Sequence, residues 1–316
     1  MKCEYVIDEV DTVSEWGTYP FRRTVEEAIP RSLMIVDKPE GPSSHQVSAW
    51  VKKIFEIKAA HSGTLDPNVT GVLPMGLGNT VRVLDLLHSA PKEYVAAMKF
   101  HGNVEESEVK EVLEDFMGEI YQIPPLRSGV KRRRRKREIY AIELLDSRRR
   151  EYLLKVRCES GTYIRTLCKD VGKAMGLGAH MMELRRIEAG GFTEEETVLL
   201  QEVRDAYEYY KEGDEENLKD VLLPYERALD IFPKIVVKDT AAGSILNGAD
   251  LAAPGIVKMD GFSSRDRVAI LSVKGEGLAV GEALYNAEEV VEKDEGLIVK
   301  TDRVFSPSGE YPRRWK

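Results

Sequence analysis

His61 and Asp66 share one short stretch, His61-Ser62-Gly63-Thr64-Leu65-Asp66-Pro67, and a second glycine-containing stretch, Gly71-Val72-Leu73-Pro74, follows at once. A carboxylate on an ordered loop can serve as nucleophile or base, and an imidazole can move a proton. A simple turn at Asp66-Pro67 explains the same residues, and on spacing alone the turn is the better account. In Gly161-Thr162-Tyr163-Ile164-Arg165-Thr166-Leu167, the arginine sits one turn into a helical pattern. A cation there reaches solvent or pairs with a carboxylate, solvent being the commoner outcome. A third group is Lys131-Arg132-Arg133-Arg134-Arg135-Lys136-Arg137. Seven adjacent cations repel one another, so the run should be mobile until a polyanion neutralises it. A merely solvated face would intersperse signs, which favours function for this run.

Other chemistries find no support. His61, His88, His101 and His180 are scattered without metal-ligand spacing, so no metal is expected. Met75-Gly76-Leu77-Gly78-Asn79-Thr80 lacks the Gly-Lys-Ser/Thr ending of a phosphate loop, and no cofactor is expected. Cys3, Cys158 and Cys168 form no C-x-x-C pair and read as reduced thiols. The N-terminus has neither the basic nor the apolar segment of a secretory signal, and no apolar run approaches a membrane span. The expectation is a cytoplasmic protein. The chain carries −8 overall, yet residues 131–150 hold ten Lys/Arg against three Asp/Glu. Such asymmetry suggests one local polyanion contact on an otherwise acidic molecule.

With 316 residues, 42% hydrophobic and 32% charged, the chain is long enough for two globular domains. Residues 1–32 lack clear periodicity and read as an extension. Leu33 to Val36 is a short strand closed by a turn at Asp37 to Pro42, and Ser43 or Ser44 can cap a helix through Val47, Trp50, Val51 and Ile54. Residues 61–78 read as a long irregular connection. Strands are expected at Tyr94–Phe100, Ile139–Leu145 and Tyr152–Cys158, and a helix follows Gly161. Acidic helical segments broken by Gly213 and Pro224 fill 197–230. From Pro233, short β-rich runs alternate with turns in the manner of a small barrel.

Taken together, the motifs resemble the TruB/dyskerin family of RNA pseudouridine synthases. His61 to Pro67 with Thr70 to Pro74 is similar to the family's catalytic motif, and Asp37-Lys38-Pro39 with Gly41, Ser44 and His45 to its first motif. Lys92-Glu93-Tyr94-Val95 resembles its tyrosine motif. Gly161 to Leu167, with Leu184-Arg185-Arg186 and Gly191-Phe192, resembles its last. Pro124 to Ser128 running into the basic segment resembles the archaeal and eukaryotic dyskerin type. Pro233 to Asp239, Asn247-Gly248-Ala249 and Pro254-Gly255 resemble the entrance to a PUA domain. The chain stops without a lysine-rich tail, which points to the archaeal branch. Ala60, Asn68 and Arg134 depart from the usual Gly, Lys and Leu of the pattern.

The resemblance implies an α+β catalytic domain (33–232) on a mixed, mostly antiparallel sheet, a β-barrel PUA domain (233–316), and an extension (1–32) packed on the PUA domain. It implies isomerisation of uridine to pseudouridine in rRNA, and in tRNA as a further substrate. Partners would be a box H/ACA guide RNA and the small accessory proteins of that ribonucleoprotein. Asp66, Tyr94 and Arg165 take catalytic places. His61, Lys38, Tyr163 and the basic residues Lys131, Arg132, Arg133, Arg134, Arg135 and Arg137 take substrate-binding ones. Two other readings stay open, a stand-alone tRNA pseudouridine-55 synthase and a non-catalytic RNA scaffold.

Overall fold

The alternation in Tyr152-Leu153-Leu154-Lys155-Val156-Arg157-Cys158 buries every second side chain of the strand Glu151–Cys158, so that Tyr152, Leu154, Val156 and Cys158 face the core. In the computed structural model, which describes residues 3–8, 12–125, 131, 133–305 and 311, this strand lies antiparallel between Lys92–Phe100 and Arg135–Arg148. The chain forms two compact bodies. One comprises Met34–Met75 with Leu84–Glu212, the other Met1–Leu33 with Gly76–Val83 and Gly213–Lys316.

The first body is built on a mixed, mostly antiparallel sheet with helices, the expected α+β architecture. Its strands run in the order Ser32–Lys38, Val69–Leu77, Ala179–Ala189, Lys92–Phe100, Glu151–Cys158, Arg135–Arg148, Gly118–Gln122. One pair in it, Val69–Leu77 with Ala179–Ala189, is parallel. The helix Ser44–Phe55 starts at a capping box in which Ser43 and Gln46 satisfy each other's backbone N–H. The helix Ile164–Ala174 buries Ile164, Leu167, Cys168 and Val171, the positions its spacing foretells.

Two sequence expectations change here. Residues 61–78 are not irregular throughout, because Val69–Leu77 is an interior strand. Gly71, Pro74 and Gly76 lower its β propensity, but burial of Val69, Val72, Leu73, Met75 and Leu77 overrides them. Gly71 is also required: at φ +103° it lies against the neighbouring strand, where a Cβ would come 2.1 Å from the Arg186 carbonyl oxygen. The second change is the strand expected from Ile139, which starts at Arg135, inside the basic run.

The second body holds a seven-stranded sheet in the order Tyr5–Val6, Ile256–Met259, Lys234–Val237, Arg267–Ser272, Gly277–Ala283, Leu297–Val304, Leu251–Ala252. Ile235, Val237, Ile270, Leu278 and Ile298 are among its core side chains. N-terminal residues are tied into this body by polar contacts. Tyr5 pairs with Met259, Thr12 and Val13 donate to Asp239, and the buried Arg23 guanidinium meets Glu226 at 2.6 Å. The Lys274 ammonium donates to the carbonyls of Ser14, Trp16 and Gly17. Among the described residues, no helix is long and apolar enough to cross a membrane.

Candidate active site

The loop from His61 to Val69 is pinned through the backbone of Ser62, Leu65, Asp66, Pro67 and Val69. Its first anchor is Ser62, whose N–H donates to Pro74 O and whose hydroxyl donates to Leu84 O. The Ser44 hydroxyl donates to Leu65 O and accepts from Leu65 N–H at 2.9 Å, while the Leu65 side chain is buried. The wholly buried Lys38 ammonium gathers three carbonyls, those of Pro39 (2.8 Å), Pro67 (3.2 Å) and Val69 (2.7 Å). Burial lowers its pKa, and the nearby Asp66 and Glu40 carboxylates oppose that shift. Three carbonyl acceptors favour the ammonium form, so Lys38 serves as a charged knot beneath the loop. Its hydrogen bonds go to backbone carbonyls, which makes its role structural.

From this frame the Asp66 carboxylate projects outward, its side chain 60% exposed. Arg165, at the second position of the helix Ile164–Ala174, donates from Nη2 to Asp66 Oδ2 at 2.8 Å. Tyr163 sets this helix start: its N–H donates to Gln122 Oε1, and Gln122 Nε2 donates to its carbonyl. The pairing that spacing left as the less common outcome for Arg165 is the one formed, although its carboxylate is open to solvent rather than buried.

His61 is held at both ring nitrogens. Its Nδ1 lies 2.8 Å from Ser48 Oγ and its Nε2 3.2 Å from Thr64 Oγ1. Burial, then the His45 ring and the Arg186 cation, push its pKa down to about 4, so the ring is neutral at physiological pH. Tyr94 stands opposite Arg186 across the strand pair Lys92–Phe100 and Ala179–Ala189. Burial raises the pKa of its phenol, and the Arg186 guanidinium beside its hydroxyl pulls the other way.

The basic run is only partly free. Arg135, Lys136 and Arg137 pair in a strand ladder with Gln122, Tyr121 and Ile120. Lys136 pairs with Glu119, Arg137 pairs with Glu159 at 3.2 Å, and the Arg134 guanidinium lies 4.3 Å from the centre of the Tyr121 ring. Partners of opposite charge remove the repulsion that made the whole run read as mobile. Lys131 and Arg133 are exposed, and Arg132 lies outside the described residues, as do Leu126, Arg127 and Ser128.

Sequence reasoning assigned no role to three residues that shape this site. Arg185 forks onto Asp37 with bonds of 3.0 and 2.9 Å, and its Nε donates to Glu194. Arg186 is buried behind the loop, and Lys92 donates to the carbonyls of Leu87, His88 and Ala90. The signal was present in Leu184-Arg185-Arg186-Ile187, two arginines inside a strand where one side chain must point inward.

Family models match along nearly the whole chain: DKCLD at residues 4–48, the TruB family pseudouridylate synthase N-terminal domain at 52–106 and 101–164, the tRNA pseudouridylate synthase B C-terminal domain at 165–230, and the PUA domain at 233–305. A probable tRNA pseudouridine synthase B of Methanocaldococcus jannaschii is 46% identical over 98% of this chain and 94% of its own length. That of Methanopyrus kandleri is 48% identical over 97% and 92%. Among solved structures, a Cbf5–Nop10–Gar1 complex matches at 45% identity and a TM-score of 0.91, covering 99% of this chain and 97% of the matched one. A chain of an H/ACA RNP bound to a substrate RNA containing 2′-deoxyuridine matches at 42% and 0.91, covering 100% and 98%. The chain belongs to the TruB family of pseudouridine synthases.

Proposed function

We propose that this chain is the catalytic subunit of a guide-directed uridine isomerase, acting on rRNA selected by a box H/ACA guide RNA in company with small accessory proteins. The observation that carries this reading is similarity along the whole chain, at a TM-score of 0.91, to chains in a Cbf5–Nop10–Gar1 complex and in an H/ACA RNP bound to substrate RNA. The work divides among the extension 1–32, a catalytic part 33–232 and an RNA-binding PUA part 233–316, in a cytoplasmic setting.

In this reading the target uridine leaves its stack, which takes a few kcal/mol of unstacking. The N1–C1′ bond breaks, the base turns, a C5–C1′ bond forms, the C5 proton leaves and N1 gains a proton. Asp66 acts as the ionised carboxylate, by attack on the sugar or by proton abstraction. Arg165 holds and orients it, and Tyr94 stacks on the base and helps remove the C5 proton. A neutral His61 helps to eject or to replace the base in its stack. Lys38 keeps the loop in shape, Tyr163 sets the arginine-bearing helix, and Lys131, Arg132, Arg133, Arg134, Arg135 and Arg137 meet phosphates.

The test is reconstitution of the full chain with a box H/ACA guide RNA and the accessory proteins, reading release of tritium from C5-labelled uridine. Turnover at the guide-specified uridine is expected, and Asp66→Asn should lower it by roughly 10⁴-fold while RNA affinity holds. The names of the curated relatives favour a second reading, stand-alone modification of uridine 55 in tRNA. Turnover on bare tRNA with no dependence on guide would establish that reading in place of the first.

A further inference from the structure

Arg186 is the largest fully buried side chain described, 1% exposed, on the strand Ala179–Ala189 at the middle of the sheet. Its strand neighbours are the two segments that carry the site. On one side Arg186 is in register with Gly71 of Val69–Leu77, the strand that continues the Asp66 loop. On the other it is in register with Tyr94. Its Nε donates to Val72 O at 2.8 Å, its guanidinium interacts with the Tyr94 hydroxyl, and among the described residues Nη2 has no hydrogen-bond partner. A Cβ placed on Gly63, at φ +68°, would come 3.0 Å from Nη1, so the Asp66 loop rests directly against the guanidinium. One planar group therefore touches the floor of the loop, the strand beyond it and the tyrosine.

A buried guanidinium is expensive, and proteins normally offset it with a carboxylate; even the partly exposed Arg185 next along the strand has Asp37 and Glu194. Arg186 points the other way along the pleat, and among the described residues the acidic group that interacts with it is the Tyr94 phenol. A cation kept in so unfavourable a place, when a methionine or leucine would fill the space, calls for a use beyond packing. Lys92, buried beside it, is pushed down to about 8 by burial and by the Arg186 charge, while its own hydrogen bonds go to backbone carbonyls. Its contacts brace the chain before Tyr94 and leave the phenol to Arg186.

We propose that Arg186 is a positioning residue for the isomerisation. It fixes the Tyr94 hydroxyl relative to the Asp66 loop, so that phenol and carboxylate reach the flipped base in one geometry. The inference deepens the reading of Tyr94 given above and rests on it. Its mode of action predicts an effect on the bound-state rate rather than on binding, because the group is sealed from solvent and from RNA. A fork that donates in fixed directions should also not be replaceable by a point charge.

The experiment is a double-mutant cycle on the reconstituted particle with Arg186→Lys, Tyr94→Phe and both together, reading single-turnover rate at saturating RNA and RNA affinity separately. Arg186→Lys keeps the charge and most of the volume, and melting within a few degrees of wild type verifies folding. The expected result is a rate lowered about 10- to 100-fold in each single variant, affinity within twofold, and a double variant no slower than Tyr94→Phe by more than about threefold. Losses that multiply across the cycle would overturn the inference, since Arg186 would then act independently of Tyr94. So would a wild-type rate in Arg186→Lys, or a loss confined to affinity. An unfolded Arg186→Lys would also overturn it, making the residue a folding element first. Full activity of Tyr94→Phe alone would remove the reading of Tyr94 on which the inference stands.

Discussion

The Asp66 carboxylate and the Arg165 guanidinium meet through one hydrogen bond, Nη2 to Oδ2 at 2.8 Å, with both side chains still open to solvent. The carboxylate is thus held in direction, yet stays accessible to a substrate that must come from outside. The rigidity comes from the frame: Lys38 and Ser44 satisfy loop backbone rather than the carboxylate itself, and Ser62 ties the loop to the carbonyls of Pro74 and Leu84. A site of this kind can be weakened from the frame or from the pair, and the two should be separable.

Arg165→Ala should slow turnover by roughly 10- to 100-fold, the range of one hydrogen bond between charged groups at about 1.5–3 kcal/mol. Because a single bond joins the pair, Arg165→Lys should recover much of that loss, and RNA affinity should change little in either variant. Single-turnover rates of the two variants check this. A lysine variant as slow as the alanine one would show that the other guanidinium nitrogens are used once RNA is bound.

His61 gives a pH prediction whose sign follows from its depressed pKa. Burial, His45 and Arg186 hold the folded ring near pKa 4, against about 6.5 in an unfolded chain. The unfolded state therefore takes up more protons between pH 6.5 and 4, so the contribution of the neutral ring is intact above 6.5 and lost as pH falls toward 4. Urea midpoints should decline over that window, and the decline should be shallower in His61→Gln. The rate profile should show no inflection from His61 near 6.5, and an acid limb there that vanishes in His61→Gln would contradict a neutral ring.

Much of this was legible in the sequence, for identifiable reasons. The helix over Ile164–Ala174 and the strand Glu151–Cys158 follow from period alone, since each buries one face. The strand Val69–Leu77 was not legible, because its glycines and proline signal a loop while burial between two neighbours decides otherwise. Asp66 and Arg165 are 99 positions apart, and nothing local couples them; only the resemblance across several motifs did so. Arg186 lies within a legible motif, but its inward direction depends on the register of three strands, which no single segment encodes. The basic run misled in part for the same reason: Glu119 and Glu159, which pair with Lys136 and Arg137, are distant in sequence.

Arg23 and Glu226 supply a stability prediction away from the site. Their side chains are 1% and 10% exposed, and Glu276 lies 3.6 Å from the same guanidinium. Removing the cation takes away the counter-charge that Glu226 and Glu276 share, so Arg23→Met should destabilise the chain by about 3–5 kcal/mol. Adding Glu226→Gln should recover part of that loss, since Glu276 remains. Denaturant midpoints of the single and double variants check this, and a single variant within 0.5 kcal/mol or so of wild type would show that the pair is weak.

Salt dependence of RNA binding should sort the basic residues by whether they already have partners. Each phosphate contact made by a free cation contributes roughly 0.7–0.9 to the log–log slope of affinity against salt, through release of condensed counterions. Arg133 is exposed, Arg134 lies over the Tyr121 ring without losing its charge, and Arg135 donates to the Lys131 carbonyl rather than to a carboxylate. Replacing these three by Gln should therefore lower the slope by about two to three and weaken binding most at low salt. Lys136 and Arg137 are neutralised by Glu119 and Glu159, so Lys136→Gln with Arg137→Gln should lower the slope by less than one for both together. Rates at saturating RNA should fall less than affinity in the triple variant, because Asp66 and its frame are untouched. Salt titrations that superimpose for the wild type and the triple variant would place these arginines outside the RNA path. An equal loss of slope from the paired residues would show that Glu119 and Glu159 release them when RNA arrives.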